Sequence, residues 1–212
     1  MTRRTAPSRV RAKDRSKNHS AAQRLIAAAR RHFFLHGFRT VTMDDLAHEL
    51  GVSKKTLYAC FPGKSALLEA VLVDKFREVE ADLRRVASDR ANMSDVLHDL
   101  LACVQRHTGE IQPAFVRDVR REAPELFALI EARRGRLIRR YFGRCFDDAR
   151  KAGLIRKDIP AVLITELLLA GVQAILNPAK MADLGLTPKT GFSAIIAVIL
   201  QGVLTATGRA RL

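Results

Sequence analysis

Gly51 constrains this chain more than any other single residue. It stands between two short runs with apolar side chains at helical spacing. On its N-terminal side Met43, Leu46, Ala47 and Leu50 fall at i, i+3, i+4 and i+7, an amphipathic stripe. On its C-terminal side Leu57 and Phe61 repeat at i and i+4. Glycine takes positive φ at low cost, so the chain can turn sharply between the two runs. Thr42 opens the first run, with Asp45 three residues on, a close variant of the capping box. Ser53 opens the second, and Pro62-Gly63 closes it. Two short capped helices joined by a glycine turn form a helix-turn-helix over roughly residues 42–61.

The rest of the chain also reads as helix. Ser20 can cap a first helix, with Leu25, Ile26, Ala29 and Phe33 on one face, and Gly37 ends it. A fourth helix over 65–86 carries Leu68, Val71, Leu72, Phe76 and Val79 inward. Further helices are predicted over 94–108, 113–121, 124–151, 160–177 and 188–207, with prolines at starts or just past ends. No β-alternation runs over a useful length. The expected fold is all-α: an N-terminal three-helix domain over 20–66 and a helical bundle over 67–212, with the fourth helix linking them. Residues 1–19 hold seven Lys/Arg and one Asp, and read as a disordered basic arm. Such an arm is either a solubilising tail or a contact to DNA beside the main site.

Charge points to an anionic partner. The chain of 212 residues has a formal net charge of +15. Residues 1–64 hold 14 of the 37 Lys/Arg and only four of the 22 acids, so most of the excess lies on the helix-turn-helix side. Cys60, Cys103 and Cys145 are odd in number and far apart, which argues against a disulfide framework and fits a reducing, cytoplasmic setting. The sequence shows no HExxH, GxGxxG or P-loop, and no nucleophile–base pair with plausible spacing, so neither an enzyme nor a cofactor or metal site is expected. The most apolar stretch, residues 159–176, is interrupted by Pro160, Glu166 and Gln173, which favours a buried or interfacial helix over a membrane span.

The helix after Gly51 offers DNA chemistry on its outer face. Lys54 and Lys55 suit a guanine edge or a phosphate, Thr56 suits either, and the Tyr58 hydroxyl suits a phosphate. Ser53 belongs to the same surface as cap. Thr42 and Lys64, at the starts of two helices, are expected to leave amides open to phosphates. No acid occurs between Gly51 and Ser65.

The stretch VTMDDLAHELGVSKKTLYACFPGKSALLEAVL, with AAQRLIAAARRHFFLHGFRT before it, resembles the TetR family of bacterial repressors. The likeness spans about residues 21–72 and fades after about 85. It implies a homeodomain-like DNA-binding domain, a C-terminal domain that binds a small-molecule effector and dimerises, and release from an inverted-repeat operator when the effector binds. Carried over by residue, Thr42 and Lys64 would touch phosphate, and Lys55, Thr56 and Tyr58 would enter the major groove. Leu57 and Phe61 would be core. Cys60 departs from the family, which usually places a His or Tyr ring there that reaches a phosphate. It is read as a small half-buried residue, with a redox role as the alternative.

The C-terminal half is less legible. Polar or soft residues in apolar context, His107, Tyr141, Cys145, Glu166 and Gln173, are the candidates for an effector pocket. The arginine run from Arg133 to Arg144 is either a solvated helix face or an attractor for an anionic effector. The last two helices are apolar all round, which fits a homodimer interface, with Ile196 and Val203 as positions to test, or simple core. A non-specific DNA-coating protein is the competing class, and the large C-terminal region argues against it.

Overall fold

The computed structural model describes residues 9–88 and 93–210. The chain runs α1 (Arg9–His36), α2 (Met43–Glu49), α3 (Lys54–Cys60), α4 (Lys64–Ser88), α5 (Met93–Gly109), α6 (Pro113–Glu122), α7 (Pro124–Leu137), a π turn (Ile138–Phe142), α8 (Gly143–Lys151), α9 (Ala161–Ile175), α10 (Pro178–Asp183), α11 (Pro188–Val203) and α12 (Ala206–Arg209). No strand occurs among the described residues; Ile155 and Leu204 form an isolated antiparallel bridge. No single helix among them is long and apolar enough to cross a membrane.

Four helices differ from those expected of the sequence. α1 begins at Arg9 rather than at Ser20, so residues 9–19 are helix and not a disordered arm. They hold five Arg/Lys and no Gly or Pro, so extending an existing helix through them is easy once it is nucleated. The part of the expected arm at residues 1–8 lies outside the described residues. The helix expected over 124–151 carries a π turn at Ile138–Phe142. The last two expected helices each give way to a shorter one. Asn177 accepts from the Lys180 amide to start α10, and Thr205 accepts from the Gly208 amide to start α12.

The core is divided into two clusters. The first joins Leu25, Phe33 and Phe34 of α1, Leu46 of α2, Leu57 of α3 and Leu67, Leu68, Val71 and Leu72 of α4. Phe115 and Val119 of α6 belong to it as well. The second holds Leu83 of α4, Leu100 of α5, Phe142, Phe146, Ile164 and Leu168, with Phe192 and Ile196 of α11. The change of core therefore falls within α4, not at residue 66, and α6 reaches back into the N-terminal unit.

One polar contact fixes that reach. Gly37 ends α1 at φ +91° and is buried. A Cβ there would lie 2.6 Å from Asp118 Oδ2 of α6. The same Oδ2 accepts the Arg39 N–H at 3.0 Å. Asp118 is 7% exposed, so the bond is shielded from water, where a lost partner costs most. Gly37 thus serves two needs, left-handed backbone and room for a carboxylate.

Gly37→Ala should lower the melting temperature by about 2–8 °C, since left-handed backbone alone costs about 1–2 kcal/mol in a non-glycine residue and a chain of this size loses about 2–4 °C per kcal/mol. Thermal unfolding measures it. An unchanged transition would show that the turn relaxes freely.

Candidate nucleic-acid interface and ligand cavity

The helix pair α2–α3 is held by its caps and its buried side. Thr42 caps α2 in a reciprocal box: its hydroxyl accepts the Asp45 N–H at 3.1 Å, and Asp45 Oδ2 accepts the Thr42 N–H at 3.0 Å. The Thr42 hydroxyl also donates to that carboxylate at 2.7 Å. These bonds hold the Asp45 carboxyl below the usual carboxylate range. After Gly51, at φ +61°, the Val52 N–H returns to the Ala47 carbonyl at 3.0 Å. Leu46, Ala47 and Leu57 are buried, and Ala47 is small enough for that close return.

Only Leu57 of α3 is buried; Lys54, Lys55, Thr56, Tyr58 and Ala59 are all exposed. Tyr58 keeps 48% of its surface open, a high value for an aromatic ring. Lys55 and Tyr58 make no hydrogen bond or ion pair among the described residues, so both heads are free for an incoming group. Lys54 pairs with Asp44 of α2 at 2.7 Å, which raises its pKa. Both are well exposed, and such a pair is weak enough for a phosphate to displace. The Ser53 hydroxyl accepts the Thr56 N–H at 3.1 Å and lies 2.9 Å from the Thr56 hydroxyl, which sets the start of α3. Cys60 is half-buried against the first core and a free thiol.

Two phosphate anchors expected of the sequence are engaged elsewhere. Asp45 takes both the N–H and the hydroxyl proton of Thr42, so neither stands open. Lys64 turns inward, because an aromatic face and a carbonyl lie within its reach. Its ammonium sits 4.5 Å from the Phe38 ring centroid and donates to the Arg39 carbonyl at 3.1 Å. Burial lowers its pKa against the pull of Asp118, Glu122 and Asp45. Sequence reading missed Arg39, whose side chain is exposed and has no partner among the described residues, while its backbone holds Asp118 and Lys64. Only its position two residues after Gly37 could have signalled it.

A second site lies in the body of the molecule. An apolar cavity of about 180 Å³ is walled by side chains that include Phe34 of α1, Leu72, Phe76 and Leu83 of α4, Phe115 of α6, Phe127 and Ile130 of α7, and Phe192 of α11. Lys75, His107, Thr108 and Arg134 are the polar groups on its wall. Lys75 Nζ lies 2.9 Å from His107 Nδ1, and His107 Nε2 lies 3.0 Å from Asp82 Oδ2. An ammonium can only donate, so His107 is the neutral tautomer that donates from Nε2 to Asp82. Lys75 also pairs with Glu110, which binds Arg30 of α1 at 2.9 Å. Burial pushes the Lys75 ammonium down and, with Lys75 beside it, pushes His107 down too. The network ties α1, α4 and α5 together behind the cavity.

Of the five residues proposed for an effector pocket, His107 lines this cavity and the other four lie elsewhere. Tyr141 and Cys145 are buried in the second core, where burial pushes the Cys145 thiol up to about 12. Glu166 and Gln173 are exposed on α9, because Ile164, Leu168 and Val172 take its inward phase. Glu166 pairs there with Arg139 at 2.8 Å. One grouping was not read from the sequence: Cys103 and His107, one turn apart on α5, meet Asp82 with their donor atoms within 4.8 Å of one another. Arg106 and Arg85, at 3.1 and 3.3 Å, take up the charge of that carboxylate.

Residues 25–71 match the family described as bacterial regulatory proteins, tetR family. The chain is 24% identical to the HTH-type transcriptional regulator UidR of Escherichia coli K12, over 87% of this chain and 93% of that protein. Its fold resembles a transcriptional regulator from Saccharomonospora viridis in complex with choline, at TM-score 0.70 and 18% identity over 88% of this chain and 99% of that one. It also resembles SmeT in its triclosan complex, at TM-score 0.62 and 18% identity over 88% and 93%.

The His107 network gives a signed pH dependence. A histidine whose pKa is lowered on folding binds fewer protons folded than unfolded, so stability falls as pH drops below its ordinary value of 6.5. Between about pH 7.5 and 5.5, around that ordinary value, the melting temperature of the protein should decline, and His107→Gln should decline less. Equal declines in both would show that His107 is not held neutral.

Proposed function

The chain belongs to the TetR family of bacterial transcriptional regulators, and on that premise we propose that it is a homodimeric repressor that grips an inverted-repeat operator through α3 and lets go when a small molecule fills the cavity. The carrying observation is the outward face of α3. Five of its seven residues are exposed, two of them with uncommitted polar heads, on a helix whose single buried side chain is Leu57. Lys55 and Thr56 would meet base edges and phosphates, Tyr58 a phosphate, and Lys54 a phosphate in exchange for Asp44. Ser53 supports them as cap. Thr42 and Lys64 act by positioning α2 and the turn before it, and the α4 amides after Gly63 would take the phosphate expected of the Lys64 side chain. The basic residues before Ser20 would add backbone contacts. The protein would do this in the bacterial cytoplasm, at the chromosome.

The partner protomer would cover α9 and α11. Leu163 and Leu167 of α9 and Val198 of α11 are large apolar residues left 48%, 51% and 72% exposed. Ala170, Ala174, Ala194 and Ala197, also exposed, would let the helices of two copies approach closely. Ile196 and Val203, the positions singled out from the sequence, are instead buried within the chain, because α11 turns them onto the second core. The solved relatives that hold choline and triclosan support a small molecule as the effector. The cavity reaches α1 through Phe34 and α6 through Phe115, so filling it bears directly on the elements that carry α2 and α3.

Lys55→Ala should weaken binding to a duplex from the protein's own upstream region by about tenfold or more and reduce the salt slope of binding by about one. An unchanged affinity would remove Lys55 from the interface. Val198→Asp should halve the mass seen by light scattering while the helical circular dichroism persists; a dimer that survives it would place the interface elsewhere.

A further inference from the structure

A second, polar space adjoins the apolar cavity. It is a cleft of about 420 Å³ between α4 and α7, lined by Arg77, Arg133, Arg136 and Arg140 with Glu80 as its single carboxylate. Arg140 pairs with Glu80 at 3.0 Å. Arg77 and Arg136 are exposed and have no acidic partner among the described residues. Arg133 lays its guanidinium 5.8 Å from the Phe76 ring centroid, and its Nε is buried with no hydrogen-bond partner among the described residues. Buried guanidinium N–H groups are seldom left so, and an anion would supply the missing acceptor.

The two spaces share walls. Phe76 and Leu137 line both the apolar cavity and the arginine cleft. Leu137 is the last residue before the π turn, and Ile138 and Phe142 of that turn line the cavity. π turns inside helices concentrate at functional sites, where the extra residue widens the coil.

We propose that the effector is a bipartite amphiphile, with an apolar chain or ring of roughly six to ten carbons in the cavity and a multiply phosphorylated head in the arginine cleft. This rests on the reading of the cavity as the effector site and names its ligand class. The cavity is slightly larger than one of about 150 Å³ that takes benzene, which sets the size of the apolar part. Three arginines without an acid need more than one negative charge, and phosphate oxygens match the guanidinium fork. Inside the cavity the charges of Lys75 and Arg134 are already balanced by Glu110 and Glu131, which disfavours a simple carboxylate there even though the buried Arg134 Nε, like that of Arg133, has no acceptor among the described residues.

Isothermal titration of the intact protein tests this. The probes are geranyl diphosphate and octanoyl-coenzyme A, each beside its separate parts: geraniol and pyrophosphate, octanoate and coenzyme A. At least one joined probe should bind about tenfold or more tightly than either of its parts. Geranyl diphosphate alone would assign a head joined directly to the chain, and octanoyl-coenzyme A alone a thioester carrier. Arg77→Ala with Arg136→Ala removes two exposed, unpaired side chains that folding does not need. That double variant should lose the gain and bind geraniol or octanoate as before. Joined probes no tighter than their parts, or an unaffected double variant, would overturn the proposal. Operator release, followed separately by gel shift, keeps the two readings apart. A joined probe that binds without releasing the operator contradicts repression by release and leaves the bipartite site standing. Release by an unphosphorylated compound, with no binding of the joined probes, contradicts the bipartite site alone.

Discussion

The structure turns on a single buried carboxylate. Asp118 of α6 accepts the Arg39 amide 79 residues away, in a gap that only a glycine at position 37 leaves open. The turn it holds is the one between α1 and α2, and the Arg39 carbonyl holds Lys64 at the start of α4. The unit that presents α3 is therefore fixed at its first turn by the body that contains the cavity. Phe115, one turn before Asp118, and Val119, next to it in the chain, pack in the same core as Leu46 and Leu57. A change in how α6 sits has little slack to absorb it, because interiors at this density move as packed pieces rather than deforming smoothly.

The cavity stands where that coupling can be used. Its wall includes Phe34 of α1 and Phe115 of α6, whose rings meet edge to face with centroids 4.8 Å apart. Behind it, Arg30, Lys75, His107 and Glu110 join α1, α4 and α5 through charged hydrogen bonds. A ligand in the proposed role would gain leverage only through contacts that differ between two settings of these helices. The α1–α6 contact and the ionic network are the places where such a difference is available.

What the sequence discloses is what is local. The caps at Thr42 and Ser53, the turn at Gly51, the inward phase of Leu46 and Leu57 and the outward phase of Lys55 and Tyr58 all follow from spacing and propensity within a few residues. The fold class follows from the same rules. What it hides is long-range. Gly37 reads as a helix stop, and nothing nearby announces that it faces a carboxylate on α6. Lys64 reads as a free cation at a helix start, yet Phe38 and the Arg39 carbonyl draw it inward. Glu166 and Gln173 look like polar residues in an apolar helix, and only the packing phase of α9 shows that they face outward. Arg133, Arg136 and Arg140 form one side of the cleft only once α7 lies beside Arg77 of α4.

If the body sets the position of α3 through Asp118, affinity for an operator duplex, in the proposed role, depends on that carboxylate. The wild type, Asp118→Asn and Asp118→Ala should be compared, as species of equal mass, on a duplex from the upstream region. Asp118→Ala should raise the dissociation constant by about tenfold or more, the scale of a lost hydrogen bond to a charged group. Asp118→Asn, which keeps an acceptor oxygen, should fall between the two. Equal affinities for all three proteins would contradict a positioning role for Asp118.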